Sequence, residues 1–110
     1  VASLLSFSAF SPAALADVGG SCHFHGKKPA TEAVVTDCAN QRRAALVKSG
    51  KLEGSWQGAR LQALELVDGQ KGKEWKAVFA NPAAADPAKR TLYICFSHPG
   101  NDIAANFTGQ

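Results

Sequence analysis

The chain has 110 residues, of which 45% are hydrophobic and 19% are charged, and its formal net charge is +3. We expect a chain of this length to form the core of a single domain. The basic residues form no run longer than Lys27-Lys28 and Arg42-Arg43, so we predict no nucleic-acid partner.

The segment 1–16 has the composition of a signal-peptide remnant. It contains no charged residue and ends in Ala14-Leu15-Ala16, which is typical of an export cleavage site. A membrane helix needs about 20 apolar residues, and this serine- and proline-containing run is too short. We therefore expect a periplasmic or secreted protein that has no stable membrane span after signal cleavage.

Residues 17–30 are predicted to form a flexible head, and residues 31–110 a single α+β domain. The head contains two adjacent glycines, two lysines and a proline, with little apolar periodicity, which is typical of irregular chain.

The first regular element of the domain is predicted to be a helix over 31–49. Thr31 suits its N-cap, and Gly50 suits the position after its end. Between them, apolar residues recur at spacings of three and four and form one stripe, interrupted by Arg42; its members are Val35, Cys38, Ala39, Ala45 and Leu46.

Four later stretches predict β-strands. The last three alternate between apolar and polar residues, which is the period of a half-buried strand, and Pro99-Gly100 favours a tight hairpin between the final two. With the helix, they predict an α+β fold of one N-terminal helix packed on a four-stranded antiparallel β-meander sheet. Trp56 is expected to cover one end of the core. The predicted strands are 60–67, 74–80, 91–97 and 102–108.

Three cysteines in an exported chain allow one disulfide and one remaining thiol. Cys38 is expected on the helix face turned to the sheet, whereas Cys95 is expected on the sheet face turned away from the helix. This disfavours a Cys38–Cys95 bridge, so we expect Cys22 to pair with one of the other two. The sequence does not choose between these pairings, and three reduced thiols are an open alternative.

Several short motifs resemble a family of short exported bacterial proteins that have no assigned function. The resemblance covers roughly residues 31–109 and includes the closing sequence Ile103-Ala104-Ala105-Asn106-Phe107-Thr108-Gly109. Members of that family often carry a histidine-rich head before one helix and a small sheet. The layout is also similar to PepSY-like modules, which are associated with binding or inhibition.

The head contains the clearest candidate for ligand chemistry, Cys22-His23-Phe24-His25. Thiolate and imidazole are donors that suit copper and zinc, and closely spaced donors on irregular chain can converge on one ion. We predict a copper or zinc site formed by Cys22, His23 and His25. If Cys22 is held in a disulfide, only the two histidines remain, and the affinity falls sharply.

The outer face of the sheet is a second candidate site. Val78, Tyr93, Cys95 and Ala104 are predicted to lie there, opposite the helix, as a modest apolar patch for a protein partner of the envelope or for self-association. The alternative is a set of scattered exposed apolar residues, which any soluble domain carries.

Catalysis is not expected. The sequence contains no HExxH motif, no glycine-rich phosphate loop and no local signature of a serine or cysteine nucleophile. The leading interpretation is a small exported, non-enzymatic binding protein that holds copper or zinc in its head. The alternative is a metal-independent protein-binding or inhibitory module that uses the outer sheet face.

Overall fold

The computed structural model describes residues 22–109. The predicted signal-peptide remnant, 1–16, and residues 17–21 of the head lie outside the described residues. The predicted α+β fold is confirmed: in the described part of the chain, one α-helix precedes four antiparallel strands that are ordered β1-β2-β3-β4 across a single sheet. Each strand therefore pairs with its neighbour in sequence, which is the meander connectivity expected from the hairpin signals.

Helix α1 spans Glu32–Lys48. Its N-terminus is capped by the side chain of Thr31, which accepts a hydrogen bond from the Val34 amide at 3.3 Å. Its last carbonyls bond to the amides that follow the helix, and Gly50 then turns the chain with φ +84°, a conformation that glycine adopts without a Cβ clash.

The strands are β1 (Arg60–Gly69), β2 (Gly72–Ala80), β3 (Thr91–Ser97) and β4 (Asp102–Asn106). The polar loop between the first two is shorter than the sequence pattern indicates, because the ladder continues until Gly69 pairs with Gly72. The connecting residues Gln70 and Lys71 keep negative φ, and the positive φ at this turn, +122°, falls on Gly72, where glycine adopts it without a Cβ clash.

The core lies between α1 and the facing side of the sheet. Trp75, Ala77 and Phe79 of β2 are buried and alternate with half-buried residues of the opposite face, which is the alternation that predicts the strand 74–80. The apolar stripe of α1 covers them, and Trp56 closes one end of the core with 1% of its surface exposed. The other buried members are Val35, Cys38, Ala39, Leu46, Leu52, Leu92, Ile94 and Phe96.

The fourth strand differs from its prediction in two ways. It ends at Asn106, because the Asn106 side chain accepts hydrogen bonds from the amides of Thr108 and Gly109 and turns the chain. A register shift opposite Cys95 and Phe96 also interrupts the alternation. Alternation along the predicted strand 102–108 places Ile103 on the core face with Ala105 and Phe107, but Ile103 is 51% exposed, because an irregularity of this kind re-aims the side chain.

Residues 22–30 form neither helix nor strand, but they are anchored to the rest of the domain. The Asn101 side chain accepts a hydrogen bond from the Phe24 amide at 2.7 Å and donates one to the Phe24 carbonyl at 2.8 Å. The Ala30 amide donates to the His98 carbonyl at 2.9 Å. The turn between β3 and β4 therefore holds the head against the end of the sheet.

We expect Asn101→Ala to release this segment. Two hydrogen bonds to the Phe24 backbone are lost, which costs about 1–2 kcal/mol in total. Hydrogen exchange of the Phe24 amide should become several times faster, while amides of the central strands keep their protection. Asn40→Ala is the matched control, because its side-chain bonds stay within α1. Unchanged exchange at Phe24 in Asn101→Ala would contradict the proposed anchoring.

Within residues 22–109, no helix is long and apolar enough to cross a membrane.

Candidate functional site

A disulfide joins the head to the helix. Cys22 is bonded to Cys38, with 5.6 Å between their Cα atoms, and Cys95 keeps its thiol. The prediction that Cys22 takes part in the bridge is confirmed. Cys38 does not pair with Cys95 because the two residues lie on opposite sides of the sheet, as argued from the strand pattern. Cys38 faces the sheet from the helix at 3% exposure, whereas Cys95 lies on the outer face.

The two histidines of the head lie beside each other on its exposed side. Cys22 and Phe24 are half-buried and pack against the core, whereas His23 and His25 are exposed. The centroids of the two imidazole rings are 5.0 Å apart, and the ring planes are nearly perpendicular. The structure therefore brings His23 and His25 together and turns Cys22 away from them.

The predicted donor set of Cys22, His23 and His25 is not assembled in the disulfide-bonded chain, because a bridged sulfur is no thiolate ligand. Among residues 22–109, no group of three or more His, Cys, Asp and Glu side chains is arranged to hold a metal ion. What the structure offers to a metal in this state is the histidine pair.

His98, the other histidine of the chain, acts through its backbone. Its carbonyl accepts hydrogen bonds from the Ala30 amide and from the indole Nε1 of Trp75 at 3.1 Å. It therefore joins the head to β2 at the turn after β3. Sequence reasoning missed this junction and the part played by Asn101, since both depend on contacts between distant segments.

The predicted partner-surface residues all lie on the face opposite the helix. In the sheet register, Val78 pairs with Tyr93 and Cys95 pairs with Ala104, and all four are half-buried. Lys76 places its Nζ 5.7 Å from the Tyr93 ring centroid, which is within the range of a cation–π contact. Their role in binding a partner stays a prediction.

An open groove of about 970 Å³ crosses one end of this outer face. Cys95 and Ala104 line it, whereas Val78 and Tyr93 lie farther along the sheet. Its walls combine the β1–β2 hairpin with the turn after β3, and they carry charges of both signs; the other lining residues include Val67, Asp68, Lys71, Lys73, Glu74, Lys76, His98 and Ile103. An ion pair between Lys73 Nζ and Asp68 at 2.8 Å spans the hairpin, and it lowers the pKa of the Asp68 carboxyl.

The Cys95 thiol is less acidic than an ordinary cysteine. Partial burial raises its pKa, the positive charge of Lys76 lowers it, and the negative charge of Glu74 raises it further. The neutral thiol is therefore favoured, which is opposite to the environment of a nucleophilic cysteine.

This charge balance predicts how fast Cys95 is alkylated. Lys76→Gln removes the cause that lowers the pKa, so the thiolate fraction falls and alkylation by iodoacetamide at pH 8 slows by roughly twofold, the size expected of a partly exposed charge. Mass spectrometry under non-reducing conditions reports Cys95 alone, because the bridge protects the other two cysteines. Glu74→Gln should accelerate the reaction, and Lys71→Gln should leave it unchanged. Acceleration in Lys76→Gln would contradict this assignment of causes.

The model of a family of unknown function, DUF6488, matches residues 1–110. The chain belongs to this family. The predicted resemblance to a family without an assigned function is thereby confirmed. That members of DUF6488 are exported and carry a histidine-rich head stays a prediction. No curated protein and no solved structure matches the chain.

Proposed function

We propose that this DUF6488 protein is a small exported, non-enzymatic binding protein of the bacterial envelope that holds a copper or zinc ion through His23 and His25. The observation that carries the proposal is the 5.0 Å separation between the two ring centroids. Imidazole is a common ligand of both metals.

This separation suits a single ion. A metal bound at about 2.0–2.1 Å from an imidazole nitrogen lies roughly 3 Å from the ring centroid, so two rings on one tetrahedral ion have centroids roughly 5 Å apart. Both rings are exposed, so an ion reaches them from solvent. The remaining coordination positions are open to water.

The disulfide tethers this pair to the domain. Cys22 precedes His23 directly and is bonded to α1, while Asn101 holds Phe24 between the two histidines. Because the backbone on both sides of His23 is held, less conformational entropy is lost when the rings converge on an ion. Two donors make a weaker site than the three that the sequence predicts.

The test is a titration of the oxidised chain with Zn(II) and Cu(II), followed through the imidazole signals in NMR spectra. We expect shifts or broadening of His23 and His25 at equimolar metal. His23→Ala and His25→Ala should each weaken binding at least about tenfold, since one of two donors is lost. His98→Ala is the control and should bind as the wild type does. An equal loss of metal affinity in all three variants would overturn the proposal. So would imidazole signals of His23 and His25 that do not change when metal is added.

The outer sheet face supports a second function, that of a metal-independent protein-binding or inhibitory module. The specific observation is the groove beside Cys95 and Ala104, which adds a concave surface to a half-buried apolar strip. The raised pKa of the thiol in this groove favours binding over nucleophilic catalysis.

This second function is tested by replacing residues of the apolar patch on the outer sheet face. A photo-crosslinking residue at position 104 should link the chain to a defined envelope protein, and Tyr93→Ala with Val78→Ser should remove that product. Val34→Ser is the matched control, because Val34 is an exposed apolar residue of α1. If the crosslinked product still forms in the variant that carries both Tyr93→Ala and Val78→Ser, the outer face is excluded as the binding surface.

A further inference from the structure

The disulfide brings a second cysteine, Cys38, to the head. Cys38 lies on α1, and its bond to Cys22 places its sulfur directly at the start of the segment that carries His23 and His25. Two cysteines and two histidines, the donor set of many structural zinc sites, therefore come from one short stretch of chain and one helix face. The sequence pattern did not indicate Cys38 as a member of this set.

We propose that reduction of the Cys22–Cys38 disulfide creates a four-donor site, formed by Cys22, Cys38, His23 and His25, for a soft or borderline ion of the Zn(II) or Cu(I) class. This inference rests on the proposed role of the histidine pair and deepens it. The oxidised chain offers two nitrogen donors, whereas the reduced chain adds two thiolates.

The geometry of the bridge suits this conversion. At a metal–sulfur distance of about 2.3 Å, two thiolates on one tetrahedral ion have sulfurs roughly 3.8 Å apart. The sulfurs of an opened bridge reach that separation by small side-chain rotations, and the Cα atoms, 5.6 Å apart, need not move. Cys38 stays fixed by its helix, so it provides a rigid first ligand.

The histidines must turn toward the sulfurs, and the local backbone allows this. Residues 22–25 belong to no helix or strand, so rotation around His23 breaks no ladder hydrogen bond. The two hydrogen bonds between Asn101 and Phe24 keep the segment close to Cys38 during that rotation. Oε1 of Gln41 lies 3.6 Å from the Cys22 sulfur, and its carboxamide also carries N–H donors of the kind that stabilise a ligating thiolate.

The reaction has a simple balance. Two electrons and two protons convert the disulfide into two thiols, and a dithiol reductant that supplies them is itself oxidised to a disulfide. Binding of the ion then releases one proton from each thiol, because the thiolate is the ligand. Within the chain, reduction therefore breaks only the sulfur–sulfur bond, and binding of the ion then breaks one S–H bond at each cysteine.

The experiment compares oxidised and phosphine-reduced chains in a Cys95→Ser background, so that only the two bridge cysteines can respond. Zn(II) affinity is measured by competition with a chromophoric chelator, and Cd(II) is used to detect thiolate-to-metal charge-transfer absorption. We expect the reduced chain to bind Zn(II) at least about 100-fold more tightly than the oxidised chain, and the Cd(II) band to correspond to two thiolates per ion.

Two variants measure how much individual ligands contribute to Zn(II) affinity. Cys38→Ser leaves Cys22 and both histidines, and it should lose most of the increase in Zn(II) affinity that reduction produces. His25→Ala should lose part of that increase. Because Cys38→Ser is also expected to be less stable, far-UV circular dichroism checks that each chain is folded. The two-thiolate band of the reduced parent chain keeps the test decisive if the variant unfolds.

Equal Zn(II) affinity before and after reduction would overturn the inference, as would a Cys38→Ser chain that binds as tightly as its reduced parent. These results leave the histidine-pair proposal standing if the oxidised chain still shows shifts at His23 and His25. Tight binding by the reduced chain without any response of the oxidised chain would support the inference and overturn that proposal.

Discussion

Cys22→Ser is expected to lower the free energy of unfolding by about 3 kcal/mol. Cys22 and Cys38 are 16 residues apart, and closing a loop of this size removes about that much chain entropy from the unfolded state. Loss of the bridge also frees the head from α1, so the packing of Cys22 and Phe24 against the core is weakened in the folded state.

Urea unfolding under oxidising conditions measures this loss. The reduced wild type should show a similar decrease, and the stability of Cys22→Ser should not respond to reductant. Cys95→Ser is the control, because it leaves the bridge intact and changes a half-buried thiol on the outer face. A stability that is the same with and without the bridge would show that the bridge does not stabilise the fold. If the reduced chain binds zinc as inferred, added Zn(II) should restore part of the lost stability by mass action.

Trp56→Ala is expected to lower the free energy of unfolding by about 3–5 kcal/mol. The Trp56 side chain is 1% exposed, and its ring lies 6.0 Å from that of Phe107. Its backbone carbonyl accepts a hydrogen bond from Arg43 at 3.2 Å. Removing the indole therefore opens a cavity where α1, the turn before β1 and the chain after β4 meet.

Single domains are stable by only about 5–15 kcal/mol, so Trp56→Ala should be partly unfolded at 37 °C. Its free energy of unfolding should be measurable at lower temperature. Trp56→Phe keeps most of the apolar contact and should cost less than half as much. Val34→Ala, at an exposed position of α1, should change stability by less than about 0.5 kcal/mol. A loss below about 1.5 kcal/mol for Trp56→Ala would show that the neighbouring side chains collapse into the space.

The fold could be predicted because its signals are local. Thr31 and Gly50 delimit α1 through capping chemistry, and the alternation in β2 and β3 separates a buried face from a half-buried one. The errors occur where a single residue overrides the pattern. Asn106 ends β4 early through its side-chain hydrogen bonds, and the bulge beside Ile103 exposes a residue that simple alternation places in the core.

The candidate site was less predictable, because its arrangement depends on contacts across the chain. The face argument correctly disfavoured a Cys38–Cys95 bridge, but the choice of Cys38 over Cys95 as the partner of Cys22 depends on the path of the head. That path is set by Asn101, which is 77 residues from Phe24, and no local motif signals such a contact. The pairing of His23 with His25 follows from simple alternation about Phe24.

The position of the bridge along the chain has a consequence for biogenesis. Cys22 and Cys38 both precede every strand of the sheet, and Cys95 lies near the end of the chain. If the chain is exported N-terminus first, as proposed, the two bridge partners reach an oxidising compartment before the third cysteine does. For a chain exported in this direction as proposed, emergence order therefore favours the Cys22–Cys38 pairing over both alternatives.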